Sequence, residues 1–194
     1  MIREKLKRAL VLMLALICAT AATAAMAEAM TEGADSDWYM DVLADEAVIA
    51  EYSYHAFVDV NGDGVPVLII STTQDKFIGI EDKGLVFLCS DGAAKQALEV
   101  GGSGGDVFYC NPDERALARY SRISGEEHIS VYHVNGDALE LAIQADRYDA
   151  HHAPDVDNDE VVCLLDGEVV DEAAYTAVSE LYALDNAVFY GPMD

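Results

Sequence analysis

The sequence predicts an α+β chain: an antiparallel β-meander sheet of roughly seven to nine strands with one N-terminal and one C-terminal helix. Three observations carry that expectation. Short β-branched and aromatic runs follow one another between residues 76 and 165, separated by turn residues such as Ser90-Asp91-Gly92 and Asn135-Gly136-Asp137. Helical spacing of apolar residues is confined to the two ends of that region. A chain of 194 residues is of single-domain size.

Taken in order, residues 1–27 read as a secretory signal peptide. Arg3, Lys5, Lys7 and Arg8 precede an apolar stretch, and Ala25-Met26-Ala27 offers a small-x-small cleavage site. An uncleaved membrane anchor is the competing reading, because the uncharged run from Ala9 to Ala27 is 19 residues long. Cys18 follows Leu16-Ile17, where a lipoprotein box has a small residue, which argues against lipidation. Residues 28–36 form a short linker, and 37–190 a single acidic α+β domain.

Asp35-Ser36 is placed to cap a helix over 37–50, with Trp38, Val42 and Ile49 on one side and Tyr39, Leu43 and Ala47 beside them. Residues 52–58 alternate as a strand, and 66–72 form a short buried strand. Further strands are expected over 76–80, 85–89, 95–100, 106–110, 116–123, 128–134, 138–148 and 160–165. Residues 168–170 are a short extended piece. Asp171 then caps a C-terminal helix, with Val170 and Tyr175 as a hydrophobic staple and Ala174, Val178, Leu181 and Tyr182 toward the core.

The strongest chemical signal lies between the first two strands. In Asp59-Val60-Asn61-Gly62-Asp63-Gly64-Val65-Pro66-Val67, oxygen-bearing side chains stand at every second position. Asp59, Asn61 and Asp63, joined by the Val65 carbonyl, are the expected ligands of a calcium ion in loop 59–67. The bland alternative is an Asx/Gly hairpin turn without a metal. An EF-hand is excluded, since loop position 12 is Ile70 rather than Glu and strands flank the loop.

The pattern aromatic-x-Asp-x-Asn-Gly-Asp-Gly-x-Pro-x-Leu-Ile-Ile, from Phe57 to Ile70, resembles the strand-loop-strand calcium motif of FG-GAP/VCBS-type repeats. It is also similar to a group of uncharacterised secreted proteins and lipoproteins of Gram-positive bacteria. That resemblance implies one calcium loop after an N-terminal helix, then a run of strands and a short C-terminal helix, over about residues 37–184. Members of the group usually carry Glu where this chain has Val67. Fewer charged ligands push affinity toward the weak extracellular range, on the order of 10⁻⁴–10⁻³ M.

Charge narrows the partners. The leader holds 4 of the 11 Lys and Arg and 1 of the 36 Asp and Glu, leaving 7 against 35, a formal −28 on the 167 residues after position 27. This argues against nucleic acid, and against a membrane once the signal is cleaved. A cell-surface protein or a glycan is the partner such a domain suits.

Other chemistry is weaker. Gly101-Gly102-Ser103-Gly104-Gly105 matches a nucleophile elbow in letters, but a strand follows where the elbow needs a helix. A flexible loop or a tight inter-strand turn accounts for it better. His128 and His133 are five apart and face opposite sides of one strand. His151-His152 lies near Asp155, Asp157 and Asp159, yet Glu160 stands where a calcium loop wants Gly. Of the three cysteines beyond the leader, Cys89 and Cys110 are the preferred disulfide pair, with three buried thiols the alternative.

The expected function is that of an exported, non-enzymatic, calcium-stabilised structural or interaction domain, extracellular or on the cell surface. Two alternatives stand beside it: a secreted hydrolase or carbohydrate-active enzyme using acidic residues, and a glycan-binding module built on Trp38 and the tyrosines.

Overall fold

The computed structural model describes residues 37–101, 105–150, 152, 160–183 and 187–193. The leader, the linker, Ser103, His151, Asp155, Asp157 and Asp159 lie outside the described residues. Among those described, the chain is broadly α+β. Its first strands are β1 (Tyr54–Val58), β2 (Val67–Ser71), β3 (Phe77–Ile78), β4 (Lys83–Ser90), β5 (Ala93–Gly101) and β6 (Gly105–Asn111). They are followed by β7 (Ala116–Ile123), β8 (Glu126–Asn135), β9 (Ala138–Tyr148), β10 (Val162–Leu165), β11 (Glu168–Val170) and β12 (Gly191–Pro192).

The expected single meander is corrected to two antiparallel sheets. The first has the order β12-β1-β2-β4-β5, the second β11-β10-β9-β8-β7-β6-β3. The turn signals act locally as expected. Asp91–Gly92, Ser124–Gly125 and Asp166–Gly167 each place two successive residues at positive φ, the mirror-image turn whose twist matches that of paired strands. The Asn135-Gly136 hairpin forms one residue later, with Asn135 paired to Ala138 and Gly136-Asp137 as the loop.

Burial explains the second sheet. All five residues of β2 are buried. Leu68 and Ile70 pack with Tyr39, Tyr52 and Phe87 on one face, so Val67, Ile69 and Ser71 point to the other. On that other face Ile78 of β3 sits over Gly84, where an added Cβ would meet its Cδ1 at 2.8 Å. β3 therefore leaves the first sheet, pairs with β6, and brings the second sheet over the inner face of the first.

The helix expected over 37–50 is corrected to a 3-10 turn (Asp37–Tyr39), α1 (Met40–Leu43) and α2 (Glu46–Glu51). The break is at Asp45, which is extended and accepts a 2.8 Å hydrogen bond from the Ala47 amide. A cap of this kind competes with helix continuation and starts a new helix instead. Tyr39 rather than Trp38 takes the core position, and Ile49 is 48% exposed. At the other end α3 (Glu172–Tyr182) begins as read from the sequence, with Asp171 accepting from the Ala174 amide at 2.9 Å. Its buried face is Tyr175 and Tyr182, while Leu181 is 49% exposed. That face packs on Ala118, Ile129, Val131 and Cys163. The layers are helices, sheet, sheet, helix.

β5 ends at Gly101 in one sheet and β6 begins at Gly105 in the other, so a strand follows where an elbow needs a helix and the two strands are not a hairpin; residues 102–104 lie outside the described residues. Gly101 has φ +107, and a Cβ there would lie 2.2 Å from the Asp82 carbonyl. Its amide donates to Asp106 Oδ2 at 3.0 Å. Arg119 grips both oxygens of the same buried carboxylate, Nε to Oδ1 at 2.7 Å and Nη2 to Oδ2 at 3.1 Å. At the far end, a Cβ on Gly105 would strike the Phe77 ring at 1.6 Å.

The C-terminal segment is a second tie. Val188 donates to Phe108 of β6 at 2.9 Å, and Ala187 bridges Tyr109. Three residues on, β12 pairs with β1, and Met193 donates to Ser53 at 2.9 Å. Between these anchors Tyr190 is buried, and burial together with the Asp106 charge pushes its phenol above the usual range.

The expected Cys89–Cys110 disulfide does not form, and all three described cysteines are free thiols. Their layers keep them apart. Cys89 packs with the N-terminal helical segment, and Cys163 lies under α3. Cys110 stands on the inner face of β6, where burial, with Asp59 adding to it, pushes its thiol up to about 12.

Two outcomes test this architecture. Gly101→Ala is expected to lower stability by about 2–4 kcal/mol, since strained backbone and a backbone clash coincide. The readout is a lower urea midpoint at unchanged slope. Cys110 and Cys163 are expected to resist a thiol reagent until the protein unfolds, and reductant to leave the thermal midpoint unmoved. A protected mass two hydrogens lighter would instead reveal a disulfide.

Candidate metal centre

Loop 59–67 is built inward from its first residue. Asp59 Oδ1 accepts from the amides of Gly62 at 2.8 Å and Asp63 at 3.3 Å, and its Oδ2 from Gly64 at 3.0 Å. The chain can curl this tightly because Gly62 and Gly64 take φ of +68 and +81. Asp63 then turns back on its own backbone, its Oδ1 accepting from the Val65 amide at 2.8 Å.

Asn61 reaches away from the hairpin and donates from Nδ2 to the Val134 carbonyl of β8 at 3.3 Å. That contact engages the amide nitrogen and not the amide oxygen. Among the described residues no donor reaches Asn61 Oδ1 or Asp63 Oδ2. The four residues singled out from the sequence thus belong to one turn, with hard oxygen donors of the type calcium takes: two carboxylates, one amide oxygen and one carbonyl. Among the described residues no three of His, Cys, Asp or Glu gather to hold a metal.

The exit of the loop is fixed separately. The Tyr39 hydroxyl donates to the Pro66 carbonyl in the core, and burial pushes that phenol above its usual range. Val67, standing where the resembling group carries Glu, is buried and pairs with Val58. Its position serves packing between the sheets, not ligation.

The other candidates separate. His133 is exposed, with Nδ1 3.2 Å from the Arg115 carbonyl, and faces away from His128 as the spacing requires. His152 lies against Gly125 in an exposed turn. A groove of about 440 Å³ beside β3 is lined by Phe77, Ile80, Glu81, Asp82, Arg122 and Ile123, among others. Asp82 there is bound to its own turn, accepting from the Gly79 amide at 3.0 Å and the Thr72 hydroxyl at 3.3 Å.

Sequence reasoning missed one polar cluster. Ser121, His128 and Asp146 fall in a single cross-strand row over β7, β8 and β9. His128 Nδ1 is 2.8 Å from Asp146 Oδ1, which also accepts from Gln144 Nε2 at 2.6 Å. The order nucleophile, base, acid is there in register, but Nε2 is turned to Glu126 Oε2, 3.4 Å away. A carboxylate at each nitrogen favours the protonated ring, the opposite of what a general base requires.

Tyr39→Phe tests the clamp on the loop. It removes the one hydroxyl that satisfies the Pro66 carbonyl and is expected to lower stability by about 1–3 kcal/mol, read from the denaturant midpoint. An unchanged midpoint would mean the hydrogen bond contributes nothing net.

Compared with protein-family models, curated proteins and solved structures, the chain matches none.

Proposed function

We propose that the protein is an exported, non-enzymatic structural or interaction domain stabilised by calcium in loop 59–67. One observation carries the reading: Asp59 gathers three backbone amides into a closed turn, while no donor among the described residues reaches Asn61 Oδ1 or Asp63 Oδ2. Asp59, Asn61, Asp63 and the Val65 carbonyl would hold the ion. Its contribution there is electrostatic, offsetting the charges of Asp59 and Asp63 and coupling binding to folding.

The loop's place in the fold supports a structural role. It joins β1 to β2 in the first sheet and touches β8 of the second through Asn61. An ion there would pin both sheets. Kinship with FG-GAP/VCBS-type loops belongs to this proposal, as does export, which rests on the leader and on the acidic composition. Among the described residues no helix is long and apolar enough to cross a membrane.

Thermal unfolding with and without calcium tests the reading. For a dissociation constant near 10⁻³ M, about 10 mM calcium stabilises by about 1.4 kcal/mol. That corresponds to a rise of roughly 3–6 °C in the midpoint. Asp63→Ala is expected to abolish the rise. A parent midpoint indifferent to calcium would leave the loop a hairpin without a metal.

A further inference from the structure

We propose that Glu126, His128 and Asp146 form a pH-sensitive clasp that holds the β7–β8 turn against the end of β9. The clasp shares no residue with the calcium loop and stands independently of it. His128 lies 2.8 Å from Asp146 through Nδ1 and 3.4 Å from Glu126 through Nε2. An imidazole donates from both nitrogens only as the cation. Neutral, it keeps one N–H, and the other nitrogen presents a lone pair to a carboxylate.

The two carboxylates are not equally dependent on the ring. Asp146 also receives Gln144 Nε2, and Gln144 is held in turn by the Ser130 hydroxyl at 2.8 Å. No second donor reaches Glu126 Oε2 among the described residues. The proton therefore stays at Nδ1, on the shorter bond, and Glu126 is the arm that lets go.

Among the described residues no substitute cation faces the ring. β9 faces the ring with Asp146 and with Tyr148, edge-on at 5.7 Å between centroids. β7 faces it with Ser121. Arg119, on the same face of β7, is committed to Asp106. Arg122 reaches instead toward Glu127, at 3.7 Å.

What Glu126 secures follows from its position. It opens β8 directly after Ser124-Gly125, both at positive φ, and pairs with Ile123 and Tyr148. The Gly125 carbonyl accepts from the Asp149 amide at 2.7 Å, and the His152 ring packs on Gly125. The turn and the end of β9 are therefore docked on each other beside the clasp.

The sign is fixed by the charges. The Asp146 hydrogen bond raises the imidazole pKa above its ordinary value; burial opposes it, and the charges of Asp146 and Glu126 add to the rise. A raised folded value stabilises fully below the unfolded pKa of about 6.5. The contribution is lost as pH climbs through the folded value.

The test uses the full chain, with imidazole nitrogen NMR and amide hydrogen exchange corrected for intrinsic rate. Expected are two protonated ring nitrogens on His128 at pH 6 and one at pH 9. Over the same interval protection of the Asp149 amide should fall by about tenfold. His128→Gln should abolish that fall. Glu126→Gln, which keeps the ring but removes the carboxylate facing Nε2, should shrink it and carries the test if the first variant does not fold. Equal protection at both pH values overturns the proposal, as does an undiminished fall in either variant.

Discussion

The structure depends on one constraint, the double-sided burial of β2. A strand with Leu68 and Ile70 on one face and Val67 and Ile69 on the other cannot belong to a sheet with a wet side. Each face demands its own cover. The broken N-terminal helix supplies Tyr39 to one, and the second sheet closes on the other. The rest of the topology is the means by which one chain lays two sheets against each other.

Three short passages accomplish this: β3, the glycine crossing at 101–105, and the C-terminal residues. Each is brief, so each is fixed by close contact instead of a long hydrogen-bond ladder. Phe77 fills the space over Gly105, and Ile78 fills that over Gly84. Asp106 is buried where the crossing ends, and the half-buried Arg119 pairs with it. A buried carboxylate is tolerated only with its charge partnered, which ties this end of β6 to β7. Loop 59–67 reaches the same seam from the other direction, through Asn61 and Val134.

Much of this was legible in the residues. β7 and β9 begin and end where the alternating runs do, and the cap at Asp171 and the strand-loop-strand frame of loop 59–67 stand as read. What failed was everything set by distant partners. Turn signals report that a strand ends but not which strand it meets next, so two sheets read as one meander. The split of the first helix was written in Asp45, a capping residue inside an apolar period, and the period outweighed it. The His128 cluster was hidden by a register shift. Asn135 opposite Ala138 would set His128 against Ala145 in a regular ladder. The bulge after Val131 moves it one residue, to Asp146. No pattern in the sequence marks that bulge.

The pairing of β1 with β12 joins the first strand of the described fold to its last. A ladder with that sequence separation closes late, after the loop entropy of nearly the whole domain has been spent. Until then the outer edge of β1 and the stretch of β6 beside Phe108 lie bare, two open templates on one molecule. A chain that has not yet closed this ladder carries exposed strand edges. The handful of residues from Ala187 to Met193 thus covers two edges that would otherwise be open to a second chain.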